Sequence, residues 1–214
     1  MKKILSYFWP FTKRFSSEIN GTLEVTYING KKVLDTENAN YSYGSLQKIL
    51  EFGLTKVDLK NVENLLLLGM GGGSIIHSLR NTFEYAENIV AVEIDPAVIN
   101  LANKEFGITP SKKLQIIEED AFQFVKNSNQ KFQLIIIDLF IDTKVPPIFY
   151  GKEFSRNIDQ ITQSGGDIIF NVGFNFEKDN SAVQEITIHF GKNYNFRKFE
   201  KVNHTNTLLL CRKG

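Results

Sequence analysis

Asn64-Leu65-Leu66-Leu67-Leu68-Gly69-Met70-Gly71-Gly72-Gly73-Ser74 is the stretch on which the fold turns. An apolar run with no polar alternation reads as a strand buried on both faces, as in a parallel sheet covered by helices. It ends in a glycine-rich loop that leads into a helix starting near Ile75. Glycines there let the chain turn sharply and let a ligand approach the backbone with no Cβ in the way. The helix N-terminus beyond them offers free N–H groups and a partial positive charge. Together these features point to a nucleotide or nucleoside ligand. The spacing is G-x-G-x-G, with Ser74 where a dinucleotide fingerprint would carry its third glycine, and this weakens an NAD-dehydrogenase reading.

Further apolar runs follow at 89–95, 114–120, 132–138 and 167–172. Helical stretches fall at 73–82, 96–105, 120–127, 151–162 and 179–190. The chain closes on NFRKFEKV and TNTLLLCRK, two strand-like segments joined at Asn203-His204. This predicts a mostly parallel seven-stranded α/β sheet with an antiparallel C-terminal hairpin. Upstream, TLEVTYINGKKVLDT (22–36) alternates apolar and polar residues about Asn29-Gly30, which predicts a β-hairpin with a tight type I′ turn. YSYGSLQKILEFGL (41–54) places Leu46, Ile49 and Leu50 at helical spacing, with Gly53 as the expected stop. The division expected is 1–60, an arm, hairpin and helix for lid and assembly roles, and 61–214, the ligand-binding domain.

The 214 residues are 42% hydrophobic and 23% charged, with 25 Lys and Arg against 24 Asp and Glu. That balance excludes disorder, coiled coil and a disulfide scaffold, and argues against broad nucleic-acid binding. Cys211, the one cysteine, lies in an apolar run and reads as a buried structural thiol in a cytoplasmic protein. The start, MKKILSYFWPFTKRF, is too short in its apolar part for a signal peptide and contains Pro10. It reads as an arm that docks on the domain or on a partner. No run approaches the ~20 apolar residues of a membrane-spanning helix, and no membrane role is expected. His77, His189 and His204 have no metal-ligand spacing, so no metal site is expected.

Acids stand at the ends of the next strands. Glu93, followed by Ile94, lies 22 residues after Gly71, where a carboxylate can accept both hydroxyls of a ribose. Asp95 with Pro96 behind it reads instead as a helix N-cap. Asp120-Ala121 ends the third run: the acid can accept from an adenine amino group while Ala121 leaves room for the ring. A plain capping role for Asp120 stays open. Asp138 ends the fourth run and opens a loop that contains Asp142 and Pro146-Pro147.

On these motifs (LLLLGMGGGS, VEIDP, EEDA and IIIDLF, after a hairpin and Tyr41-Ser42-Tyr43) the chain resembles the class I S-adenosylmethionine-dependent methyltransferase fold, Rossmann-like, and its spermidine synthase-like branch. The resemblance implies that Gly69, Met70, Gly71 and Gly73 lie under the methionine and ribose parts of the cofactor. It implies Glu93 and Ile94 at the ribose, Asp120 and Ala121 at the adenine, and Asp138 beside the sulfonium. Spermidine synthases carry GGGDGG, whose Asp helps bind the aminopropyl amine, and Gly72 stands at that position. Their second loop Asp is matched by Ile141, with Asp142 one residue late, and their Tyr-Gln pair by Tyr43-Gly44. A dicationic amine needs carboxylates to hold it, so these departures make methyl transfer from S-adenosylmethionine to a small acceptor the first expectation. Asp138 would orient the acceptor or take its proton, with Tyr43 and Asp142 as further candidates. The alternatives are an aminopropyltransferase using decarboxylated S-adenosylmethionine and a non-catalytic nucleoside-binding module. The hairpin, the Tyr43 segment and loop 139–150 are expected to form the acceptor surface, and the arm, with Phe8, Trp9 and Phe11, a homodimer interface.

Overall fold

The computed structural model describes residues 5–36, 40–141, 144–174 and 181–214. An N-terminal antiparallel sheet holds β1 (Phe11–Ser17), β2 (Gly21–Ile28), β3 (Lys31–Thr36) and β4 (Asn40–Ser42) in that order. Helix α1 (Ser45–Leu54) leads into an alternation of strands and helices: β5 (Asn64–Leu68), α2 (Ser74–Asn81), β6 (Asn88–Glu93), α3 (Pro96–Phe106), β7 (Leu114–Glu118), α4 (Ala121–Asn127) and β8 (Phe132–Ile137). Then come α5 (Lys152–Ile161), β9 (Thr162–Phe174), α6 (Ser181–Phe190), β10 (Tyr194–Val202) and β11 (Asn206–Lys213).

The large sheet has seven strands in the order β10-β11-β9-β8-β5-β6-β7. β5 to β9 run parallel, and β11 and β10 run antiparallel at one edge. The expected α/β architecture is therefore the observed one. The reason is visible in β5, whose Leu65 and Leu67 enter one core while Leu66 and Leu68 enter the other, all four 0% exposed. Each such burial stabilises the fold by about 1.5–3 kcal/mol. α1, α2 and α3 contribute to the first core, and α4, α5 and α6 to the second. Successive strands add outward from β5 to β6 and β7, and then from β5 to β8. The strand order thus reverses between β5 and β8, and ligands of open α/β sheets bind at such a point.

The N-terminal sheet lays Leu23, Val25 and Leu34 on Val98 and Leu101 of α3. Its hairpin turns at Asn29 (φ 50°) and Gly30 (φ 74°), the left-handed pair that a type I′ turn requires. The arm docks on that turn: Asn29 N–H donates to Ser6 O, and Gly30 N–H to Ser6 Oγ, at 3.0 Å each. Three expectations need correction. Phe11–Ser17 belongs to the sheet as β1, where an arm alone was expected, because it pairs with β2 along its whole length. Gly53 does not stop α1: it is a buried residue within it, and a Cβ there would lie 2.8 Å from Ile169 Cγ2. β9 is longer than 167–172, starting at Thr162 and pairing with β8 from Phe132 onward. Cys211 is buried, 1% exposed, and burial pushes its thiol well above the usual range. No helix among the described residues is long and apolar enough to cross a membrane.

Candidate active site

A cleft of about 100 Å³ opens at the carboxyl ends of β5, β6, β7 and β8. Gly69, Glu93, Ile94, Asp120, Ala121 and the loop residues Leu139, Phe140 and Ile141 line it, together with Phe149. Gly69 (φ 84°) is the residue that lets β5 and β8 meet there, since a Cβ on it would run into the Asp138 carbonyl. The strand tips are stitched by Asp138 N–H donating to Leu68 O at 2.9 Å and by Gly69 N–H donating to Val92 O at 3.0 Å.

Glu93 ends β6 and is 4% exposed. Its Oε2 accepts from Gly71 N–H at 2.9 Å, and its Oε1 accepts from Ile94 and Asp95 N–H at 3.0 and 3.2 Å. Burial pushes this carboxyl up to about 7, against the pull of those three donors and helped by the Asp95 charge. Oε2 carries one donor and keeps acceptor capacity for a ligand hydroxyl.

Asp120 caps α4, accepting from Gln123 N–H at 3.0 Å through Oδ1, and lines the cleft as well. The capping role and the cleft position therefore hold together. Ala121, 5% exposed, follows it in the cleft wall. Ile94, 44% exposed, gives an apolar face on the same wall.

Asp138 follows β8, and its Oδ1 accepts from Asn171 Nδ2 at 2.8 Å. Burial pushes it up to about 7 against that donor, with the Glu93 charge adding to the rise. Oδ2 has no donor among the described residues.

Not every expected residue meets in this cleft: Asp138 is flanked by the lining residue Leu139 but does not itself line it. Met70 packs in the core, 3% exposed, and Gly73 (φ 82°) turns into α2 where a Cβ would run into Ile108. Gly71 acts through its N–H on Glu93. Tyr43 lies elsewhere, stacked on Phe106 with ring centroids 4.4 Å apart and lining a separate groove with Gln47, Glu51 and His77. Burial pushes its hydroxyl above the usual phenol range. The ring is held there because the left-handed backbone at Tyr43 (φ 65°) turns it onto α3. Asp142 lies outside the described residues.

The N-terminal sheet does reach the cleft, but through the β1–β2 turn, Ile19 and Asn20, and not through the 22–36 hairpin. Asp95 anchors that turn. Its Oδ1 caps α3 by accepting from Ala97 N–H at 2.8 Å, while Oδ2 accepts from Ser17 Oγ and from Asn20 Nδ2 at 2.6 Å.

Comparison with known proteins fits this geometry. The model of the spermine/spermidine synthase domain matches residues 47–202. A polyamine aminopropyltransferase of Vibrio vulnificus is 27% identical over 63% of this chain and 46% of its own length. That of Sulfurisphaera tokodaii is 31% identical over 51% of this chain and 38% of its own. The chain thus spans less than half the length of these curated relatives. Among solved structures, a probable spermidine synthase from Corynebacterium glutamicum is similar with a TM-score of 0.65 and 15% identity, covering 96% of this chain and 77% of that one. Human methyltransferase-like protein 13, in complex with SAH, also reaches 0.65, at 21% identity over 80% of this chain and 83% of that one.

The curated relatives overturn the expectation of methyl transfer, since they are aminopropyltransferases. The physical reason is that the glycine loop, Glu93 and Asp120 were read as a nucleoside site, and a nucleoside is what methyl and aminopropyl donors share. Those residues do not say which carbon on the sulfonium is attacked.

Proposed function

The chain belongs to the spermine/spermidine synthase domain family, and we propose on that basis that it transfers an aminopropyl group from decarboxylated S-adenosylmethionine to a small polyamine-type acceptor. One observation carries the reading: a buried and a half-buried carboxylate stand at strand tips around Gly69, Glu93 held by three backbone donors and Asp138 by one side-chain amide. The first suits a fixed hydroxyl acceptor, and the second suits a base with a free oxygen.

The residues fit the nucleoside. Glu93 Oε2 has room for a ribose hydroxyl, and Asp120 stands at the rim over Ala121, where a purine edge needs an acceptor. Ile94 and Phe149 give apolar faces to a ring. When bound, the donor supplies a methylene made electrophilic by its sulfonium, and sulfur leaves as a neutral thioether.

Asp138 does the proton work. An acceptor amine attacks only as the free base, so a carboxylate titrating near 7 is matched to take its ammonium proton at neutral pH. The C–N bond forms as the C–S bond breaks, its electron pair goes to sulfur, and the proton stays on Asp138. Both carboxylates, Glu93 in the cleft wall and Asp138 beside it, also favour a cationic donor over a neutral one.

The same reading includes a cytoplasmic homodimer built on the arm, where Phe8 and Trp9 are 84% and 72% exposed. It is tested by incubating the protein with decarboxylated S-adenosylmethionine labelled in the aminopropyl chain and an aliphatic diamine such as putrescine. Label in a longer polyamine with release of methylthioadenosine is the expected result. Tighter binding of the carboxylated form, with no label transferred to any amine, would overturn it.

A further inference from the structure

Asn171 and Asn206 lie deep in the molecule, 0% and 1% exposed, where a polar side chain needs partners. They form a chain that ends on Asp138. Asn206 Nδ2 donates to Asn171 Oδ1 at 3.0 Å, and Asn171 Nδ2 donates to Asp138 Oδ1 at 2.8 Å. Gly173 N–H donates to the same Asn171 Oδ1 at 3.2 Å. Two donors on one atom settle which end of the Asn171 amide is oxygen, so its nitrogen has to face the carboxylate.

The backbone is shaped to allow this. Thr207 of β11 stands opposite Gly173, but Leu208 stands opposite Asn171, which leaves Val172 as an extra residue on β9. Such a bulge re-aims the side chains beside it and releases a neighbouring N–H from the ladder. Here the released group is that of Gly173, at φ 93°. The arrangement does not serve stability well. Asn206 Oδ1 and Thr207 Oγ1 are buried with no hydrogen-bond partner among the described residues, and an apolar residue of similar shape at 206 would remove one such orphan.

We infer that Asn206 is a positioning residue for the transfer step: acting through Asn171, it fixes Asp138 by Oδ1 and leaves Oδ2 to receive the acceptor's proton. The inference rests on the role given to Asp138 above. The donated hydrogen bond also favours the ionised carboxylate, against burial and against Glu93, the charged group acting on Asp138 among the described residues.

The test follows the Asp138 carboxyl by carbon-13 NMR titration and, in parallel, the acidic limb of the kcat–pH profile. In Asn206→Leu the loosened amide donates less well, so the Asp138 midpoint rises by about half to one pH unit, a threefold to tenfold change in the ionised fraction at a given pH. The kcat limb moves up with it while KM for the nucleoside donor stays. Asn206→Thr, which keeps a hydroxyl donor on the strand, returns both toward wild type. A midpoint unchanged in Asn206→Leu, whatever happens to its Tm, overturns the inference, and Asn206→Ala gives the same readout if the leucine variant does not fold. The titration needs no turnover. Absence of aminopropyl transfer in the wild type would sink the functional reading alone.

Discussion

On the proposed reading Glu93 faces opposing demands, since it is buried deeply enough to resist ionisation and would have to be an anion to grip hydroxyl protons. Its three backbone donors offset the burial only in part, and the carboxyl still rises to about 7. Glu93→Gln keeps one carbonyl acceptor, turns an NH₂ group toward N–H donors, and removes the charge that strengthens each bond. Calorimetry should show donor and methylthioadenosine affinity falling about 30-fold to 100-fold, as expected when hydrogen bonds to a charged group are lost. Unchanged affinity would remove Glu93 from the site. Asp138→Asn should behave differently, with kcat down by about 10²–10⁴ and nucleoside affinity kept. Gly72 raises a third case. A Cβ there would stand 3.0 Å from Ser42 Cβ and 3.3 Å from Leu34 Cδ2, so the space beside it is already filled. Gly72→Asp, which would give the loop its family carboxylate, should therefore lower stability by about 1–3 kcal/mol in urea titration, with Ser42→Gly recovering part of the loss. Glu93, Asp120 and Asp138 were legible as strand-end acids because each closes an apolar run. Asn171 left a fainter trace as the polar residue inside DIIFNV, and what gives it meaning, a bulge against β11, is a matter of pairing that no local pattern encodes.

Among the elements, β5, β6 and β8 were read correctly because burial on both faces leaves an unbroken apolar run, while the start of β9 at Thr162 lies in a polar stretch that hid it. β1 was missed for the opposite reason: it is an edge strand with Thr12, Lys13 and Arg14 all exposed, so its sequence shows no buried face. The β1–β2 turn was missed as a cleft wall because its anchor, Asp95, is far away in sequence and its capping role already explained it. That double duty makes Asp95 sensitive. Asp95→Ala removes the α3 cap and leaves Ser17 and Asn20 without their acceptor, so unfolding free energy should fall by about 2–4 kcal/mol. Donor affinity should fall as well, because Ile19 and Asn20 lose their seat. A variant equally unstable that binds the donor as wild type would show that the turn is not part of the site.

At the scale of the whole molecule, two carboxyls held up near 7 make stability depend on pH. Unfolded, they titrate near 4; folded, they keep their protons until about 7. Between those values the folded state binds more protons, so stability of the ligand-free protein falls as pH rises through this window. Urea unfolding at about pH 5 and about pH 7.5 should differ by about 2–3 kcal/mol per group in favour of the lower pH, and Glu93→Gln should remove about half of the difference. A wild-type midpoint that climbs over the same interval would mean these carboxyls are already ionised in the fold.

The seating of the β1–β2 turn on Asp95 also sets an order of events. Ser17 and Asp95 are 78 residues apart, so the turn has nothing to rest on until β5, β6 and the start of α3 are in place. Closing so long a loop is entropically slow, and during synthesis the first strands leave the ribosome well before their anchor does. The wall that Ile19 and Asn20 give the cleft is thus among the last parts of the chain to mature. A ligand that needs this wall would bind only the completed fold, and would lengthen the lifetime of the native state while leaving the speed of folding alone.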